Sequence, residues 1–393
     1  MIDNFVFTSE SVTEGHPDKL CDRISDAVVD HLLTLEPTAR VRCECAVSRA
    51  IIFIAARFAS GKTVDFTRLA RKVIKQIGYD QPEFNPYSCS ILTSPQTLNV
   101  DAADAFDEQV LSDEQMDAIK AKNQVTVFGY AVDENTVLMP LPIYLANRLA
   151  RRLTDTRKAQ DLPYLMPDAK VQVGVEYRQR MPDRIHSITM EIQTRHPNLP
   201  SGKILKQDLV DAVVQPVFAD MQIAPNGRTA ININPNGPYP GGPSHHSGLT
   251  GRKNAVDTYG EYARHSGKAL SGKDPLRVDR SGAYAARFAA KNIVAAGLAR
   301  VCEVMVSYGT GIAQPVSLMV NSFGTGSESD QRLTERLNRW FDFRPAGILK
   351  AFRLRHLPAL HPDGFYQRLS AYGHFGRQDM DLPWERTDHA MDL

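Results

Sequence analysis

A polar sequence directly precedes an amphipathic helix near the start of the chain, in residues 13–33. After Pro17, apolar residues recur at steps of three and four, which predicts a helix that begins at this proline. His16, Asp18 and Lys19 then lie at its first turn, beside unpaired backbone N–H groups and the positive end of the helix dipole. Such a terminus suits a phosphate or another anion. A capped surface helix is the alternative that the same residues allow.

The composition is typical of a soluble globular protein with more than one domain. A chain of 393 residues is too long for one ordinary core, and 42% of its residues are hydrophobic. The 46 Lys and Arg residues nearly balance 45 Asp and Glu, which argues against a nucleic-acid or polybasic membrane surface. Because no signal-peptide pattern or bilayer-spanning apolar run is visible, we expect a cytoplasmic protein. The five cysteines are scattered, which predicts buried free thiols.

Three stretches of different character predict domains at residues 1–112, 113–230 and 231–393, with crossing of the chain between domains left open. The first contains the opening helix and a strand-rich passage at residues 41–58. The segment at residues 101–124 is rich in acidic and polar residues, and it is interpreted as a mobile surface segment or linker. Helices and strands alternate without a strict βαβ rhythm, so we predict the α+β class.

Two loops of the third stretch, residues 248–253 and 271–281, place cations between glycines. The basic residues of these loops are Arg252, Lys253, Lys273, Arg277 and Arg280. Glycines allow a ligand close to the backbone, and several cations on short loops match a polyphosphate. Asp274 and Asp279 lie among the cations, and Asp279 suits either a helix cap or a Mg²⁺ ligand. Because neither loop is a Walker A or Rossmann motif, we predict a nucleotide or polyphosphate site of another type.

A series of motifs, in order along nearly the whole chain, resembles the S-adenosylmethionine synthetase (methionine adenosyltransferase) family. These motifs are FTSESVTEGHPDKLCDRISDAV, FGYAVDENTVLMPLPI, PDAKVQV, GLTGRKNAVDTYG, SGKDPLRVDRSGAYAARFAAKNIVAAGLA and AYGHFGRQDMDLPWE. The resemblance implies three similar α/β domains with pseudo-threefold symmetry, and a homodimer or homotetramer with active sites between subunits. It also implies that the sulfur of methionine attacks C5′ of ATP and expels triphosphate, which is hydrolysed to pyrophosphate and phosphate with Mg²⁺ and K⁺.

The resemblance implies roles for individual residues. His16 would lie near the departing oxygen, Asp18 and Asp279 would hold Mg²⁺, and Glu44 would bind the monovalent cation. Asp168 would contact the ribose and Tyr239 would stack on adenine. The residues assigned to the phosphates and their surroundings are Lys19, Lys170, Arg252, Lys253, Lys273, Asp274 and Arg277. For Lys170 and Glu44, an ordinary surface position is the alternative.

The sequence departs from the family pattern on the side of the amino-acid substrate. Arg57, Asn123 and His246 stand where the family has acidic residues, and Arg277 replaces a lysine. An ammonium group near Arg57 would be repelled, whereas a carboxylate could be bound bidentately. One explanation is a shifted alignment in divergent loops. Another is a paralogue that transfers adenosyl to a different nucleophile or only cleaves ATP to triphosphate. A nucleotide-binding regulatory subunit is a third hypothesis, against which the intact HPDK, SGKD and VDRS motifs argue.

Overall fold

The computed structural model describes residues 3–99, 105–195 and 200–393. Within these residues the strands are β1 (Phe5–Val12), β2 (Arg40–Ser48), β3 (Ile51–Ala59), β4 (Ser90–Thr97), β5 (Val125–Val132), β6 (Leu165–Arg178), β7 (Met181–Thr194), β8 (Ala230–Ile233), β9 (Gly248–Leu249), β10 (Val301–Tyr308) and β11 (Ser317–Asn321). The helices are α1 (Pro17–Leu35), α2 (Phe66–Ile77), α3 (Asp113–Ala118), α4 (Leu141–Lys158), α5 (Gly202–Leu209), α6 (Gln215–Phe218), α7 (Asn254–Asp257), α8 (Val278–Ala295), α9 (Asp330–Trp340), α10 (Pro345–Phe352), α11 (Leu357–Leu360) and α12 (Tyr366–Leu369). A π-helical turn, Val210–Val214, joins α5 to α6, and a 3-10 turn spans Pro383–Glu385.

The strands of the described residues form three sheets, and one long helix packs on each of them. The strand orders are β1-β6-β7-β8, β11-β10-β5 and β4-β3-β2-β9. Helix α4 packs on the first sheet, α8 on the second and α1 on the third. This repetition of a sheet with its helix confirms the predicted α+β class with three similar α/β units, and it is the arrangement that pseudo-threefold symmetry requires.

The sheets do not follow the predicted boundaries after residues 112 and 230. The N-terminal strand β1 pairs with β6, and β5 pairs with β10 from the last third of the chain. Likewise β9 pairs with β2. Because each sheet takes strands from two of the predicted segments, the chain crosses between units, and the division into domains stays a prediction.

Helix α1 is buried along nearly its whole length, so the alternative of a capped surface helix is wrong. Its aspartates at every fourth position, Asp18, Asp22, Asp26 and Asp30, accept backbone N–H groups from distant segments. The donors are Leu249, Gly251, Gly272, Tyr366 and Gln367, at 2.7–3.0 Å. A buried carboxylate needs such partners because isolated charge is costly away from water. The helix therefore holds the later loops of the chain in place.

The acidic segment at residues 101–124 is partly helical. Residues 101–104 lie outside the described part of the chain, whereas 113–118 form α3 with a capping box between Ser112 and Gln115. Arg344 reaches this helix, 2.9 Å from Asp113 and 3.1 Å from Asp117. For residues 113–118 the interpretation as a linker is therefore wrong, because a capped helix is docked there by an arginine.

All five cysteines are buried free thiols, as predicted. The described part of the chain also contains no helix that is both long and apolar enough to cross a membrane.

Candidate active site

The start of α1 is held tightly against β9. His16 is the N-cap residue, and its Nδ1 accepts the backbone N–H of Asp18 at 3.2 Å. Asp18 Oδ1 in turn accepts the backbone N–H of Leu249 at 3.0 Å. A Cβ at Gly248 would lie 2.1 Å from the carbonyl oxygen of Pro17, so only glycine lets β9 approach this helix end. The polar first turn is thus fixed by a close backbone contact.

His16 is an uncharged hydrogen-bond donor at neutral pH. Burial, opposed by Asp168 and reinforced by His246, lowers the pKa of His16 to about 3, so the ring is neutral. Because Nδ1 accepts a hydrogen bond, the ring proton lies on Nε2. The side chain therefore offers an N–H group from a residue that is only 3% exposed to solvent.

Asp168 organises a polar network beside His16. Its Oδ2 accepts the backbone N–H of Gly242 at 2.7 Å and lies 2.7 Å from His246 Nε2 and 3.3 Å from the Tyr239 hydroxyl. Its Oδ1 is buried and meets no hydrogen-bond partner among the described residues. The rings of His246 and His16 meet edge to face, with centroids 4.9 Å apart. The structure thus brings His246, a departure from the family pattern, into direct contact with three predicted site residues, His16, Asp168 and Tyr239.

Three of the predicted phosphate-binding cations surround this network. Lys170 Nζ lies 5.1 Å from the centre of the Tyr239 ring, and Arg252 Nη1 lies 3.8 Å from Asp18 Oδ1. Lys253 Nζ lies 3.6 Å from Glu10 and is close enough to lower the pKa of His16. We call the set the histidine group; its members are His16, Asp18, Asp168, Lys170, Tyr239, His246, Arg252 and Lys253. It combines neutral donors, exposed cations and a helix N-terminus.

Lys19 does not belong to this group, and its prediction as a catalytic phosphate ligand is wrong. Its ammonium is fully buried, donates to Asp22 at 3.0 Å and is paired with Asp257. Burial would lower the pKa of Lys19, but the two carboxylates outweigh it and raise the pKa. With no exposed surface and two charged partners, the side chain ties α1 to α7.

Asp274 and Arg280 make contacts within the fold that argue against their predicted contact with a nucleotide or polyphosphate, which stays a prediction. Asp274 is 2% exposed, and its donors are the Arg40 Nε and the backbone N–H groups of Val41 and Leu276, at 2.9–3.1 Å. Arg280 is fully buried, is paired with Asp26 and stacks 4.3 Å from the centre of the Tyr366 ring. The Asp274 carboxylate is taken up by neighbouring segments, whereas the buried Nη1 of Arg280 meets no hydrogen-bond partner among the described residues.

A second group lies at the start of α8. Asp279 accepts hydrogen bonds from Lys273 Nζ at 3.1 Å and from Asn123 Nδ2 at 3.0 and 3.1 Å. Burial would raise the pKa of Asp279, but Lys273 and Asn123 hold it below its ordinary value. The N-cap position is Arg277, without a side-chain cap, so the capping alternative for Asp279 is wrong. Arg277 has a buried Nε without a partner among the described residues.

The outer face of β2, β3 and β4 carries a cleft of about 390 Å³ beside this second group. Arg42 Nη2 pairs with Glu44 at 2.6 Å, and Arg57 lies opposite Arg42 across the strands. Arg57 and Glu44 are both exposed and line this cleft with Gln96. The structure therefore places Arg57 and Glu44 together, while Arg57 has no ion pair among the described residues.

The two groups are separate within one chain. Lys273 pairs with Arg42 of β2, whereas β9 pairs with Ala46 and Val47 of the same strand. The offset of four residues corresponds to about 13 Å along an extended strand. Among the residues that the structure describes, no hydrogen bond or ion pair joins Asp279 or Lys273 to the histidine group. The described part of one chain thus presents two separate groups of predicted site residues.

Family models match nearly the whole chain. They are the N-terminal, central and C-terminal domains of S-adenosylmethionine synthetase, at residues 4–98, 118–239 and 240–386. The chain belongs to the S-adenosylmethionine synthetase family. A relative from Synechococcus sp. (strain JA-3-3Ab), named S-adenosylmethionine synthase, is 48% identical over 400 residues, covering 98% of this chain and 96% of the relative. Proteins of the same name from Thermosynechococcus vestitus and Nostoc punctiforme are also 48% identical, over 406 and 403 residues; the alignments cover 99% and 98% of this chain and 97% and 94% of the relatives.

Sequence reasoning missed the residues that position the site in this synthetase-family chain. Asp22 and Asp257 hold Lys19, and Asp26 anchors the glycine of the loop that carries Lys273. A signal was present for two of them, because aspartates four residues apart share one face of a helix. For Asp257 no local pattern points to Lys19, which is 238 residues away.

Proposed function

We infer that this protein synthesises S-adenosylmethionine from methionine, ATP and water, with release of phosphate and pyrophosphate. The observation that carries this is the neutral, buried His16 N–H donor, surrounded by cations at a helix N-terminus. Almost the full length of the chain also aligns with relatives named S-adenosylmethionine synthase. The family membership supports a divalent metal-dependent transferase.

Adenosyl transfer from ATP to methionine requires stabilisation of the leaving group and no general base. A lone pair of the neutral methionine sulfur forms a bond to C5′ while the C5′–O5′ bond breaks, and the electron pair leaves on triphosphate. No proton has to be removed, so positioned cations and hydrogen-bond donors supply the stabilisation. We propose that His16 donates from Nε2 to O5′. Lys170, Arg252 and Lys253 would balance the charge of the phosphates.

The adenosine half of ATP has a matching surface beside His16. An unpartnered buried carboxylate oxygen is costly, and a ribose hydroxyl would satisfy Asp168 Oδ1. The Tyr239 ring, whose hydroxyl is tied to Asp168, offers a face on which adenine can stack. We therefore keep Asp168 and Tyr239 as nucleoside contacts.

Magnesium and potassium remain part of this proposal. Mg²⁺ prefers carboxylate oxygens, and Asp18 and Asp279 supply them in the two groups. Asp18 Oδ2 fits, since it accepts no hydrogen bond from any described residue. Asp279 is held by Lys273 and Asn123, which would share it with the ion. Glu44 fits K⁺ only if Arg42, 2.6 Å from its carboxylate, turns away. When bound, these ions would add positive charge beside the triphosphate.

Asp279→Asn should raise the Mg²⁺ concentration that gives half-maximal activity by about tenfold or more, because a carboxylate ligand becomes an amide. Asp279 does not cap α8, so any fall in melting temperature should come from the lost ion pair with Lys273 and should accompany, not replace, the higher Mg²⁺ requirement. Activity measured against Mg²⁺ concentration tests this, with Asp113→Asn, an exposed first-turn acid of α3, as the matched control. A lower melting temperature with an unchanged Mg²⁺ requirement would show that Asp279 is structural.

We propose that the protein works as a homodimer or homotetramer in the cytoplasm, without nucleic-acid or membrane partners. An apolar row crosses the outer face of the third sheet, where Leu249, Ala46, Phe53 and Leu92 lie opposite one another in register. Leu249, Phe53 and Leu92 are 48%, 44% and 55% exposed. Since exposed apolar surface of this kind marks interfaces, a second copy is its proposed occupant. That copy would bring its Asp279 group to the histidine group.

Light scattering should therefore give at least a dimeric mass at assay concentrations. Phe53→Asp places a charge in the apolar row, so it should shift the mass toward the monomer and reduce activity together. Leu360→Asp is the matched control, because Leu360 is 70% exposed at the end of α11. A fully active monomer would contradict the shared site.

A different acceptor is the second candidate function, and Arg57 is the observation that favours it. Its guanidinium, which has no ion pair within the described ranges, lines the cleft beside Glu44, where a carboxylate rather than an ammonium would be attracted. Incubation with ATP, Mg²⁺, K⁺ and either methionine or a panel of thioethers and amines separates the candidates. S-Adenosylmethionine with phosphate and pyrophosphate supports the first candidate. Triphosphate release without that product favours the second.

A further inference from the structure

A cavity of about 400 Å³ lies between α4 and residues 372–379, lined by none of the residues of either group. Its lining combines aromatic and apolar side chains with guanidinium groups. The apolar members include Tyr144, Phe375 and Met139, and the basic members are Arg148, Arg151, Arg152 and Arg377. Its volume is within the range of small-molecule sites.

The charge of this cavity is positive. Four guanidinium groups face two lining carboxylates, Asp155 and Asp379, and Arg148 is also paired with Asp220 at 2.9 Å, which leaves an excess of one positive charge. Asp379 is shared by Arg151 at 2.7 Å and Arg377 at 2.7 and 2.8 Å. Arg152 donates from Nε to a backbone carbonyl at 2.8 Å, and its terminal amino groups meet no partner among the described residues. A guanidinium with free terminal amino groups can grip phosphate or carboxylate bidentately.

Two lining residues hold the segment that leads to His16. Asn147 Oδ1 accepts the Ser11 hydroxyl at 2.6 Å, and the Tyr372 hydroxyl accepts the backbone N–H of Glu14 at 3.3 Å. Tyr372 has a φ of +67°, an uncommon backbone state for a residue with a side chain. A ligand that displaces Tyr372 or Asn147 would therefore release the backbone just before the active-site histidine.

We propose that this cavity binds an aromatic phosphate, such as a nucleoside monophosphate, at a site separate from the active site. The phosphate would lie against Arg152, and the ring against Tyr144 and Arg148, whose guanidinium lies 5.5 Å from the centre of the Tyr144 ring, since flat rings stack on aromatic and guanidinium planes. Occupancy would change the position of residues 11–16 and so alter turnover. The binding stands independently, whereas the effect on turnover rests on the proposed function.

Calorimetric titration with AMP tests the site. We expect two AMP sites per chain in the wild type, the active site and the cavity. Arg152→Gln should weaken the affinity of the cavity site for AMP by at least about tenfold. The matched control is Arg332→Gln, because Arg332 is a 73% exposed guanidinium on α9. Melting temperatures of both variants establish that they fold. Equal stoichiometry and affinity in the wild type and Arg152→Gln would overturn the proposal.

A parallel titration with inorganic phosphate tests the ligand class. Weaker binding of phosphate than of AMP at the Arg152-dependent site supports an aromatic phosphate, and equal binding overturns that assignment. These binding measurements need no catalysis. They can therefore contradict the proposed AMP site without contradicting adenosyl transfer, and a failure of adenosyl transfer would not contradict the AMP site. An AMP-dependent change in the turnover of the wild type that Arg152→Gln abolishes would support the coupling to His16, and its absence would overturn it.

Discussion

His16→Ala should slow the chemical step by about two or more orders of magnitude while the fold persists, as removal of one oxyanion-type donor does in other enzymes. The reason lies in the state of the side chain. Burial lowers its pKa to about 3, so it acts as a neutral N–H donor, and no charge is lost at neutral pH. In a water-shielded position, that donor is worth more to a developing oxyanion than it would be in water. Single-turnover kinetics with ATP and methionine measures the loss.

Two further substitutions separate the hydrogen bond from its surroundings. His16→Asn keeps both a side-chain amide donor and an acceptor for the N-cap, so it should recover part of the rate. His245→Ala is the matched control, because His245 is an exposed histidine beside the site residue His246. Unchanged turnover in His16→Ala would remove His16 from the reaction. Loss of folding in that variant, with full activity in His16→Asn, would make it a capping residue.

The start of α1 could be predicted from sequence because its determinants are local. Pro17 fixes the first helical position, and the apolar spacing that follows sets the buried face. His16 and Asp18 then have to lie at the helix terminus. In residues 41–58 only the first half, which contains Glu44, alternates, whereas the continuously apolar second half predicts a buried strand. The structure instead exposes Arg57, because side chains of a strand alternate between its two faces.

The destinations of Lys19 and Asp274 could not be predicted in this way. In the sequence, both resemble loop or helix-terminus residues near a ligand. In the structure, the charge of each is paired with a residue far along the chain. Lys19 meets Asp257, and Asp274 holds Arg40 and the backbone of Val41. A motif supplies residue types, whereas tertiary contacts decide which charges are left for a ligand. The same limit explains why the sequence does not show which strands cross between the sheets.

Arg57→Glu should lower the methionine KM, and this is the prediction that bears on the natural acceptor. Arg42 is neutralised by Glu44 in the cleft, whereas Arg57 has no counter-charge among the described residues. A guanidinium there repels the α-ammonium of methionine, and a glutamate would attract it. Because Arg57 is exposed, solvent screening reduces the difference to about 1–2 kcal/mol, or roughly tenfold in KM. Steady-state kinetics at saturating ATP measures it.

Two matched variants separate the effect of the charge at residue 57 from other effects of the substitution. Arg57→Gln removes the charge without reversing it, so its methionine KM should lie between those of the wild type and Arg57→Glu. Arg68→Glu makes the same charge change at an exposed position of α2 and should leave KM unaltered. For the wild type, we expect better use of acceptors that lack the α-ammonium or carry an additional carboxylate, which Arg57 can bind bidentately. Equal methionine KM values in all three Arg57 proteins would show that the acceptor binds elsewhere, because a charge beside the ammonium cannot change from positive to negative without altering its affinity.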